Sequence, residues 1–325
     1  MDEVRIIGVG SYVPPKVVTN DDLSKIVDTN HEWILDRTGI CERRVSEGED
    51  TSSMAYKASI DAMKKADING EDLDLIIVAT ITPDSFSPSV ACMLQKMIGA
   101  KNATAFDISA ACTGFIYSLE VAENLIKGGK YKRALVVGAE TLSKIVDWAD
   151  RSTCILFGDG AGACVIEESK ESDSKIINTY SMSDGEKWSA LTTGANDVKS
   201  PFSKQENIKN KHIQMNGREV FKFATSVMVD SVKKVLEDTD YNLEDIDYVV
   251  PHQANLRIID YAAKKLSIQR EKFYVNLDRF GNTSSASIPI ALSDMYNQGK
   301  LKTGNLIVLV GFGGGLTCGA TLIKW

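Results

Sequence analysis

A cysteine with the surroundings of a nucleophile lies between a predicted strand and a predicted helix. It is Cys112, in the segment Asp107-Ile-Ser-Ala-Ala-Cys-Thr-Gly-Phe115. At the start of a helix, unpaired N–H groups and the positive end of the dipole stabilise an anion, so this position predicts a lowered thiol pKa and a reactive thiolate. A buried packing cysteine is the alternative interpretation, and position alone leaves both open.

A histidine and an asparagine stand at comparable strand ends later in the chain. His252 lies in Pro251-His-Gln-Ala-Asn-Leu-Arg257, directly after a predicted strand, where parallel sheets bind ligands. Asn282 lies in Arg279-Phe-Gly-Asn-Thr-Ser-Ser-Ala-Ser287, before a predicted helix. A lone histidine more often caps a helix or packs in a core, and an asparagine after glycine is common in turns.

Together these three side chains suit the formation of a carbon–carbon bond. Asparagine does not exchange protons near neutral pH, so with a neutral histidine it offers N–H donors to a carbonyl oxygen that gains negative charge. Decarboxylation of a β-carboxy thioester gives such an enolate, which can attack an acyl group held on Cys112. The glycine segment 311–315 ends another predicted strand and offers further N–H groups to an oxyanion, although a tight turn also explains it.

The elements that must position these residues occur twice in the chain. The segment Glu71-Asp-Leu-Asp-Leu-Ile-Ile-Val78 recurs as Glu244-Asp-Ile-Asp-Tyr-Val-Val-Pro251, and Gly129-Lys130 recurs as Gly299-Lys300. The offsets, 244 − 71 = 173 and 299 − 129 = 170, nearly agree and indicate a duplicated domain, because solenoid repeats are far shorter. We expect halves over residues 1–170 and 171–325, with Cys112 in the first and the other two residues in the second.

Helices and nearly continuous apolar strands alternate along both halves, which favours an α/β fold with mostly parallel sheets covered by helices. The polar stretch 184–215 is predicted to form loops. The predicted strands cover residues 4–9, 73–80, 103–108, 134–138, 162–167, 175–182, 246–250, 273–277 and 306–310. The predicted helices cover residues 52–66, 89–98, 114–127, 217–237, 256–266 and 284–298.

Composition excludes several classes of function. The 325 residues carry a net charge of −7, which argues against general nucleic-acid binding. No apolar run reaches the ~18 residues of a membrane span, and the N-terminus lacks a secretory pattern, so we expect a cytoplasmic protein. Six scattered cysteines without a Cys-x-x-Cys pair and three histidines argue against a metal site. Gly8-Val-Gly10 lacks the third small residue of a dinucleotide fingerprint, and Pro14-Pro15 prevents a following helix, which excludes nicotinamide binding.

Several separated segments resemble one family, β-ketoacyl-acyl carrier protein synthase III of the thiolase superfamily. The resemblance runs essentially from end to end of the chain. It implies a five-layer αβαβα thiolase-like fold of two pseudo-symmetric halves, assembled as a homodimer. The resembling segments are Trp33–Ile40, Ala110–Phe115, Phe157–Gly162, His252–Arg257, Gly281–Ser287 and Gly313–Thr317.

The resemblance also implies roles for the chemical residues. Cys112 would accept an acyl group from acyl-coenzyme A, and His252 with Asn282 would decarboxylate malonyl-acyl carrier protein. The backbone N–H groups of Cys112 and Gly314 would form the oxyanion hole. The product would be 3-ketoacyl-acyl carrier protein, made at the start of fatty acid synthesis, and no cofactor is implied beyond the coenzyme A thioester substrate.

The same resemblance implies two binding surfaces. Trp33, Arg37, Arg151 and Asn255 would contact coenzyme A, although an ordinary helix pair and a solvated arginine explain the first three as well. Acyl carrier protein would contact a segment after the histidine and a basic helix face, although a charged face is commonly just solvated. These carrier-protein residues are Gln253, Ala254, Asn255, Leu256, Arg257, Lys222, Lys264 and Lys265.

Three departures from the family pattern leave the acyl primer open among acetyl, branched and longer chains. Leu316 and Cys318 stand where aromatic residues are frequent, and Phe86 is one position from an expected pocket-closing phenylalanine.

Competing interpretations are a related thiolase-fold condensing enzyme, such as a hydroxymethylglutaryl-coenzyme A synthase or an enzyme of secondary metabolism, a Cys-His-Asn hydrolase, and a catalytically silent scaffold. This chain lacks the flanking Cys-Gly-Ser-Cys-Trp signature of papain-like hydrolases, and parallel α/β alternation fits such a hydrolase poorly.

Overall fold

Strands and helices alternate along the chain in the computed structural model, which describes residues 3–169, 173–194, 196–197, 200–202 and 210–325. The strands are β1 Glu3–Tyr12, β2 Val17–Thr19, β3 Glu42–Arg44, β4 Leu75–Ala79, β5 Thr104–Ile108, β6 Arg133–Glu140, β7 Gly160–Ser169, β8 Lys175–Ser183, β9 Leu191–Thr192, β10 Gln214–Met215, β11 Tyr248–Pro251, β12 Leu306–Gly313 and β13 Thr317–Lys324. The helices are α1 Asn20–Leu23, α2 His31–Thr38, α3 Thr51–Lys65, α4 Val90–Met97, α5 Gly114–Lys127, α6 Gly217–Lys234, α7 Leu256–Leu266, α8 Leu277–Phe280 and α9 Ser287–Asn297.

Two large sheets are mixed, so the prediction of mostly parallel sheets was wrong. The first sheet has the strand order β1-β7-β6-β4-β5, and the second has the order β11-β12-β13-β8. In the first, β4 runs parallel to β5 and β6, but β7 is antiparallel to both of its neighbours. In the second, only β11 and β12 are parallel. The short turn between β12 and β13 imposes an antiparallel pair, because a parallel connection needs a long crossover.

Five layers of helix and sheet stack in the order predicted from the resemblance. Helices α5 and α9 lie between the two sheets and pack against strands of both. Helices α3 and α4 cover the outer face of the first sheet, and α6, with α7 packed beside it, covers the second. Strands at the centre are therefore enclosed on both faces, which explains why all five residues of β4 are buried and apolar.

The internal repeat has a constant offset in the structure. The first residues of β4 and β11 differ in number by 248 − 75 = 173, and those of α5 and α9 differ by 287 − 114 = 173. The first residues of β6 and β12 show the same difference, 306 − 133 = 173. The first sheet uses the chain up to Ser169 and the second begins at Lys175. We therefore propose that the two halves divide at residues 170 and 171, as expected from the sequence.

One predicted strand does not form. Residues 273–277 make a single bridge between Phe273 and Val249, and the N–H of Tyr274 donates to the Val249 carbonyl at 2.9 Å. The chain then turns, because the N–H of Asn276 donates to the Gln253 side chain and not to a strand. Part of the predicted loop 184–215 also differs, since β9 pairs with β10; its positions 195, 198–199 and 203–209 lie outside the described residues.

Candidate active site

The cysteine, histidine and asparagine singled out in the sequence line the same cavity. This cavity has a volume of about 520 Å³ and lies where the ends of β11 and β12 meet the turn before α5. Its walls include Cys112, His252, Asn282 and Gly314. The structure thus brings one group from the first half together with two from the second.

Cys112 sits in a 3₁₀ turn, Ala111–Thr113, that leads directly into α5. Ala111 adopts a left-handed conformation with φ of 46°, which places the cysteine at the head of the helix. Its Sγ lies 3.5 Å from the Ser284 hydroxyl. Gly313 makes this position possible, because a Cβ there would lie 2.7 Å from the backbone nitrogen of Cys112.

The ionisation of Cys112 differs from the sequence-based expectation. Burial raises the pKa of the thiol to about 12, and the nearby Glu140 carboxylate raises it further, while the hydrogen bond with Ser284 acts in the opposite direction. The prediction of a lowered pKa was therefore wrong, since loss of water around the sulfur outweighs the position at a helix start. The resting nucleophile is a neutral thiol that must lose a proton as it reacts.

Two backbone N–H groups of residues in the cavity wall, those of Cys112 and Gly314, are the predicted oxyanion hole. Cys112 is the second residue of its 3₁₀ turn, so its N–H has no acceptor within the turn. Gly314 follows the last residue of β12 and borders the cavity. Within the described part of the chain, no backbone carbonyl accepts a hydrogen bond from either group. The pair therefore stays a predicted oxyanion hole whose two N–H groups are not used by described backbone carbonyls.

His252 directly follows β11 and is held by its backbone and by one ring contact. Its N–H donates to the Val310 carbonyl at 2.7 Å, and its ring meets Phe312 edge to face with the centroids 5.3 Å apart. Burial lowers the pKa of His252 to about 3, so the imidazole is neutral at physiological pH. Nδ1 is enclosed and, among the described residues, without a hydrogen-bond partner, which leaves Nε2 as the nitrogen for the cavity.

Asn282 is fixed by the opposite half of the molecule. Its N–H donates to the Leu156 carbonyl at 2.8 Å, and its own carbonyl accepts from the N–H of Gly158 at 3.0 Å. The side-chain Oδ1 accepts from the N–H of Ser284 at 2.9 Å. Because Oδ1 is occupied in this way and Asn282 lines the cavity, we expect Nδ2 to be the group that donates to a substrate oxygen.

A buried carboxylate under the site was missed by the sequence reasoning. Glu140 is the last residue of β6 and is fully enclosed, and burial raises its pKa although several hydrogen bonds act against that shift. The available signal was an acidic residue at the end of an apolar run, since burying a carboxylate costs free energy unless hydrogen bonds compensate for it. The donors to its two oxygens are Thr80, Ile81, Thr82, Ser284 and Ser285.

The residues expected to contact coenzyme A gather at the cavity mouth. Trp33, Arg37 and Asn255 line the cavity, and Arg151 stands beside the tryptophan. The guanidinium carbons of Arg37 and Arg151 lie 4.8 and 5.1 Å from the Trp33 ring centroid. Asn255 donates from Nδ2 to the Arg37 carbonyl at 3.0 Å, which ties α7 to α2. The mouth thus offers an aromatic face with two cations.

The segment expected to contact a carrier protein is only partly at the surface. Gln253 is buried, and its side chain donates to the carbonyls of Pro251 and Tyr274 at 2.8 and 3.0 Å. Its proposed contact with a carrier protein is therefore wrong, because the side chain is used inside the protein. Ala254 borders the cavity, and Leu256 packs against Gly39 of the segment after α2.

The basic residues predicted for the same surface are exposed. Arg257 forms a salt bridge with Asp36 at 3.1 Å, with both side chains at least half exposed. Lys264 and Lys265 occupy the last turn of α7, and Lys222 lies on α6, which packs beside α7. All three lysines are exposed. Phe221, next to Lys222 on α6, lines the cavity, and the surface formed by these cations stays a prediction for carrier-protein binding.

The three departures lie away from the described cavity wall. Leu316 and Cys318 are buried in the hydrophobic cluster between the second sheet and its outer helices. Phe86 is 88% exposed. None of the three contributes to the cavity lining.

Two other kinds of site are absent from the described residues. Over residues 3–169, 173–194, 196–197, 200–202 and 210–325, His, Cys, Asp and Glu side chains form no group that could hold a metal ion. Within the same ranges, no helix has the length and apolar character needed to cross a membrane.

Comparison with known proteins places the chain in a family. The model described as 3-oxoacyl-[acyl-carrier-protein (ACP)] synthase III matches residues 106–185, and the one for its C-terminal part matches residues 236–325. The β-ketoacyl-[acyl-carrier-protein] synthase III of Clostridium acetobutylicum is 57% identical over 325 residues, covering 100% of this chain and 99% of the relative. That of Clostridium novyi is also 57% identical, with 100% of both chains covered.

Solved structures agree. The crystal structure of 3-oxoacyl-[acyl-carrier-protein] synthase III from Aquifex aeolicus VF5 has a TM-score of 0.93 and 48% identity, covering 99% of this chain and 100% of that one. The synthase from Thermus thermophilus has a TM-score of 0.92 and 43% identity, with 99% of both chains covered. These similarities confirm the thiolase-like fold class. The chain belongs to the β-ketoacyl-[acyl-carrier-protein] synthase III family of condensing acyltransferases.

Proposed function

We propose that this protein starts fatty acid synthesis by joining an acyl-coenzyme A primer to malonyl-acyl carrier protein. The products are 3-ketoacyl-acyl carrier protein, carbon dioxide and coenzyme A. The observation that carries the residue-level proposal is the convergence of Cys112, His252 and Asn282 on one cavity. Family membership carries the reaction type.

The first half-reaction transfers the acyl group to sulfur. The sulfur of Cys112 attacks the thioester carbonyl of acyl-coenzyme A, and coenzyme A leaves as its thiolate. The carbonyl oxygen gains negative charge in the tetrahedral state, and the N–H groups of Cys112 and Gly314 stabilise it there, since neither donates to a backbone carbonyl of the described residues. The acyl-enzyme then waits for the second substrate, so the kinetics are ping-pong.

The second half-reaction forms the carbon–carbon bond. The thioester oxygen of malonyl-acyl carrier protein accepts hydrogen bonds from Nε2 of His252 and Nδ2 of Asn282. Loss of carbon dioxide leaves an enolate, whose charge these two donors stabilise without taking or giving a proton. The lowered pKa of His252 keeps the imidazole neutral for this role. The enolate carbon attacks the acyl group on Cys112 and releases the sulfur.

The substrates reach the cysteine through the mouth at α2 and α7. Coenzyme A binds there, with its adenine against Trp33 and its phosphates near Arg37 and Arg151, because planar cations suit both rings and phosphates. Asn255 borders the passage of the pantetheine arm. The exposed side chains of Arg257, Lys222, Lys264 and Lys265 would present positive charge to an acidic carrier protein, together with Ala254 and Leu256.

The protein works in the cytoplasm as a homodimer, as the family resemblance implies. The reaction needs only side chains and backbone groups of the chain with the two thioesters, so coenzyme A enters as a substrate group and no separate cofactor takes part.

Labelled malonyl-acyl carrier protein and acetyl-coenzyme A test the proposal in one assay. We expect release of carbon dioxide together with a 3-ketoacyl product on the carrier protein. Free acetate without condensation would instead indicate a thioester hydrolase and overturn the proposal. A panel of acetyl-, isobutyryl- and octanoyl-coenzyme A, run under the same conditions, identifies the preferred primer.

A further inference from the structure

We propose that Ser284 and Glu140 form a proton relay that takes the proton from Cys112 during acyl transfer and returns it during condensation. The relay rests on the proposed function, since it serves the acyl-enzyme formed at Cys112. It adds two groups to the chemistry at the sulfur: a hydroxyl in contact with it and a carboxylate that acts through that hydroxyl.

The hydrogen bonds run in one direction, from the thiol to the carboxylate. The Cys112 thiol donates to the Ser284 hydroxyl at 3.5 Å, and that hydroxyl donates to Oε1 of Glu140 at 3.1 Å. Ser284 is held in place for this contact by a left-handed backbone with φ of 51°. All three side chains are buried, and Glu140 lies behind Cys112 and Ser284, which both line the cavity.

The surroundings of Glu140 make a shared proton reasonable. Its facing groups on the described elements are four hydroxyls and one N–H, and Cys112 is the titratable group whose charge couples to it. A carboxylate and a thiolate side by side in a buried site repel each other, so the state in which the pair holds one proton is favoured over the fully deprotonated state. Burial raises the pKa of Glu140, which prepares the carboxylate to accept a proton. Of the other charged or titratable groups that line the cavity, His252 stays neutral and Arg37 lies at the mouth.

The relay balances the acylation step. As the sulfur of Cys112 bonds to the thioester carbon, its S–H proton moves to the Ser284 oxygen, and the Ser284 proton moves to Glu140. The bond between the carbonyl carbon and the coenzyme A sulfur breaks, and coenzyme A leaves as a thiolate that takes a proton from solvent. The acyl-enzyme then contains a neutral Glu140.

The relay is reset by the condensation step. The enolate carbon attacks the acyl carbon, and the bond to Cys112 breaks, which leaves a thiolate in the buried site. Glu140 returns its proton through Ser284, and the neutral thiol and the carboxylate are restored. One proton is taken from solvent per turnover, by coenzyme A, and this matches the conversion of a malonyl carboxylate into carbon dioxide.

Variants along the chain of hydrogen bonds test the relay. Ser284→Ala breaks the path at its middle, and Glu140→Gln keeps the shape of the acceptor but prevents it from taking a proton. Ser293→Ala is the matched control, because Ser293 is a buried serine of α9 whose hydroxyl bonds to Ser11, away from the site. Each full-length variant is mixed rapidly with acetyl-coenzyme A, and acyl-enzyme is followed by intact mass. Decarboxylation of malonyl-acyl carrier protein is measured separately.

We expect Ser284→Ala to slow acylation by about 100-fold, the lower part of the range for general acid–base catalysis. Decarboxylation should stay within about threefold, because the backbone N–H of Ser284 still holds Asn282. Alkylation of Cys112 by iodoacetamide gives a second readout. Its rate should be nearly flat between about pH 6 and 9 in the unmodified protein and rise about tenfold per pH unit in Ser284→Ala, where the thiol must ionise directly.

Three outcomes decide the matter. Slower acylation with a changed pH profile in Ser284→Ala, and the same in Glu140→Gln if that variant folds, supports the relay. Acylation at the unmodified rate with an unchanged profile overturns it. Equal loss of acylation and decarboxylation, with a lowered melting temperature, also overturns it and assigns the network a structural role. If the unmodified protein forms no acyl-enzyme at Cys112, the proposed function fails first.

Discussion

The turns that precede α5 and α9 have the same backbone shape and carry different chemistry. Ala111 and Ser284 open these turns, are related by the offset of the internal repeat, and adopt φ of 46° and 51°. The next residue is Cys112 in the first half and Ser285 in the second half. One turn therefore presents a nucleophile to the cavity, and the other presents hydroxyls to a buried carboxylate. A duplicated shape has been divided between a reacting role and a supporting one.

Two more pairs of positions, related by the same offset, show the same division. His252 follows β11 at the place that corresponds to Ala79, the last residue of β4. Gly313 ends β12 at the place that corresponds to Glu140, the last residue of β6. In each pair one half supplies a chemical group, and the other supplies a small residue. Gly313 leaves space for Cys112, because a Cβ at this position would be too close to the backbone nitrogen of the cysteine.

The largest expected effect comes from removing the side chain at equivalent positions of the two turns. Cys112→Ala should abolish the acyl-enzyme, because no other thiol lines the described cavity, while Ser285→Ala should still form it. Intact mass after incubation with acetyl-coenzyme A measures both. A normal yield of acyl-enzyme in Cys112→Ala would show that the nucleophile is elsewhere.

His252→Ala gives the second half the residue type, alanine, that the first half has at the equivalent position, Ala79. We expect decarboxylation of malonyl-acyl carrier protein to fall by about 10²- to 10³-fold, the usual loss for one donor to a developing oxyanion. Acylation of Cys112 should persist, since it uses backbone N–H groups. Carbon dioxide release and acyl-enzyme formation, measured separately, check this split. Equal losses in both would mean that the two halves do not divide the reaction.

Equivalent glycines in β6 and β12 test how tightly each half is packed. A Cβ at Gly138 would lie 2.2 Å from the backbone oxygen of Ser285, whereas one at Gly311 would lie 3.2 Å from the tip of the Ile116 side chain. Gly138→Ala should therefore cost about 3 kcal/mol of unfolding free energy and Gly311→Ala about 1 kcal/mol, as overpacking does. Urea unfolding measures both. Similar costs at the two positions would contradict the comparison.

The last expected effect is a difference in acid sensitivity between the unmodified protein and His252→Ala. His252 has a folded pKa of about 3, lowered by burial from 6.5, so it is neutral when folded and takes up a proton when unfolded at moderately acidic pH. Its contribution to stability is therefore lost as the pH falls from 6.5 toward 3, at about 1.4 kcal/mol per pH unit. Between pH 7 and 5 the unmodified protein should lose about 2 kcal/mol more unfolding free energy than His252→Ala. Parallel losses in urea titrations would contradict the burial argument.

Much of this architecture followed from the sequence because local signals agreed with the fold. Helices α5 and α7 begin and end at the predicted residues. The predicted strand 273–277 failed because an apolar run with a β-rich composition packs into a core equally well without a ladder. The antiparallel pairs were missed because continuous burial, not parallel pairing, produces continuous apolar strands.

The site was partly predictable for the same reason. Strand ends and the repeat indicated Cys112, His252 and Asn282, since residue type and position both matter there. The pKa of Cys112 was not predictable, because it depends on burial that only the folded chain shows. Ser284 stood within the Gly281–Ser287 segment, yet nothing local indicated that Glu140, far away in the chain, would meet its hydroxyl.

The backbone of Asn282 joins residues 156–158 of the front half on both sides, and Gly313 packs against the cysteine turn. On a ribosome, Cys112 therefore emerges long before its partners, and chemistry must wait for the final strands. We therefore expect a nascent chain to react poorly with cellular thioesters, because it contains the sulfur without the other groups of the site.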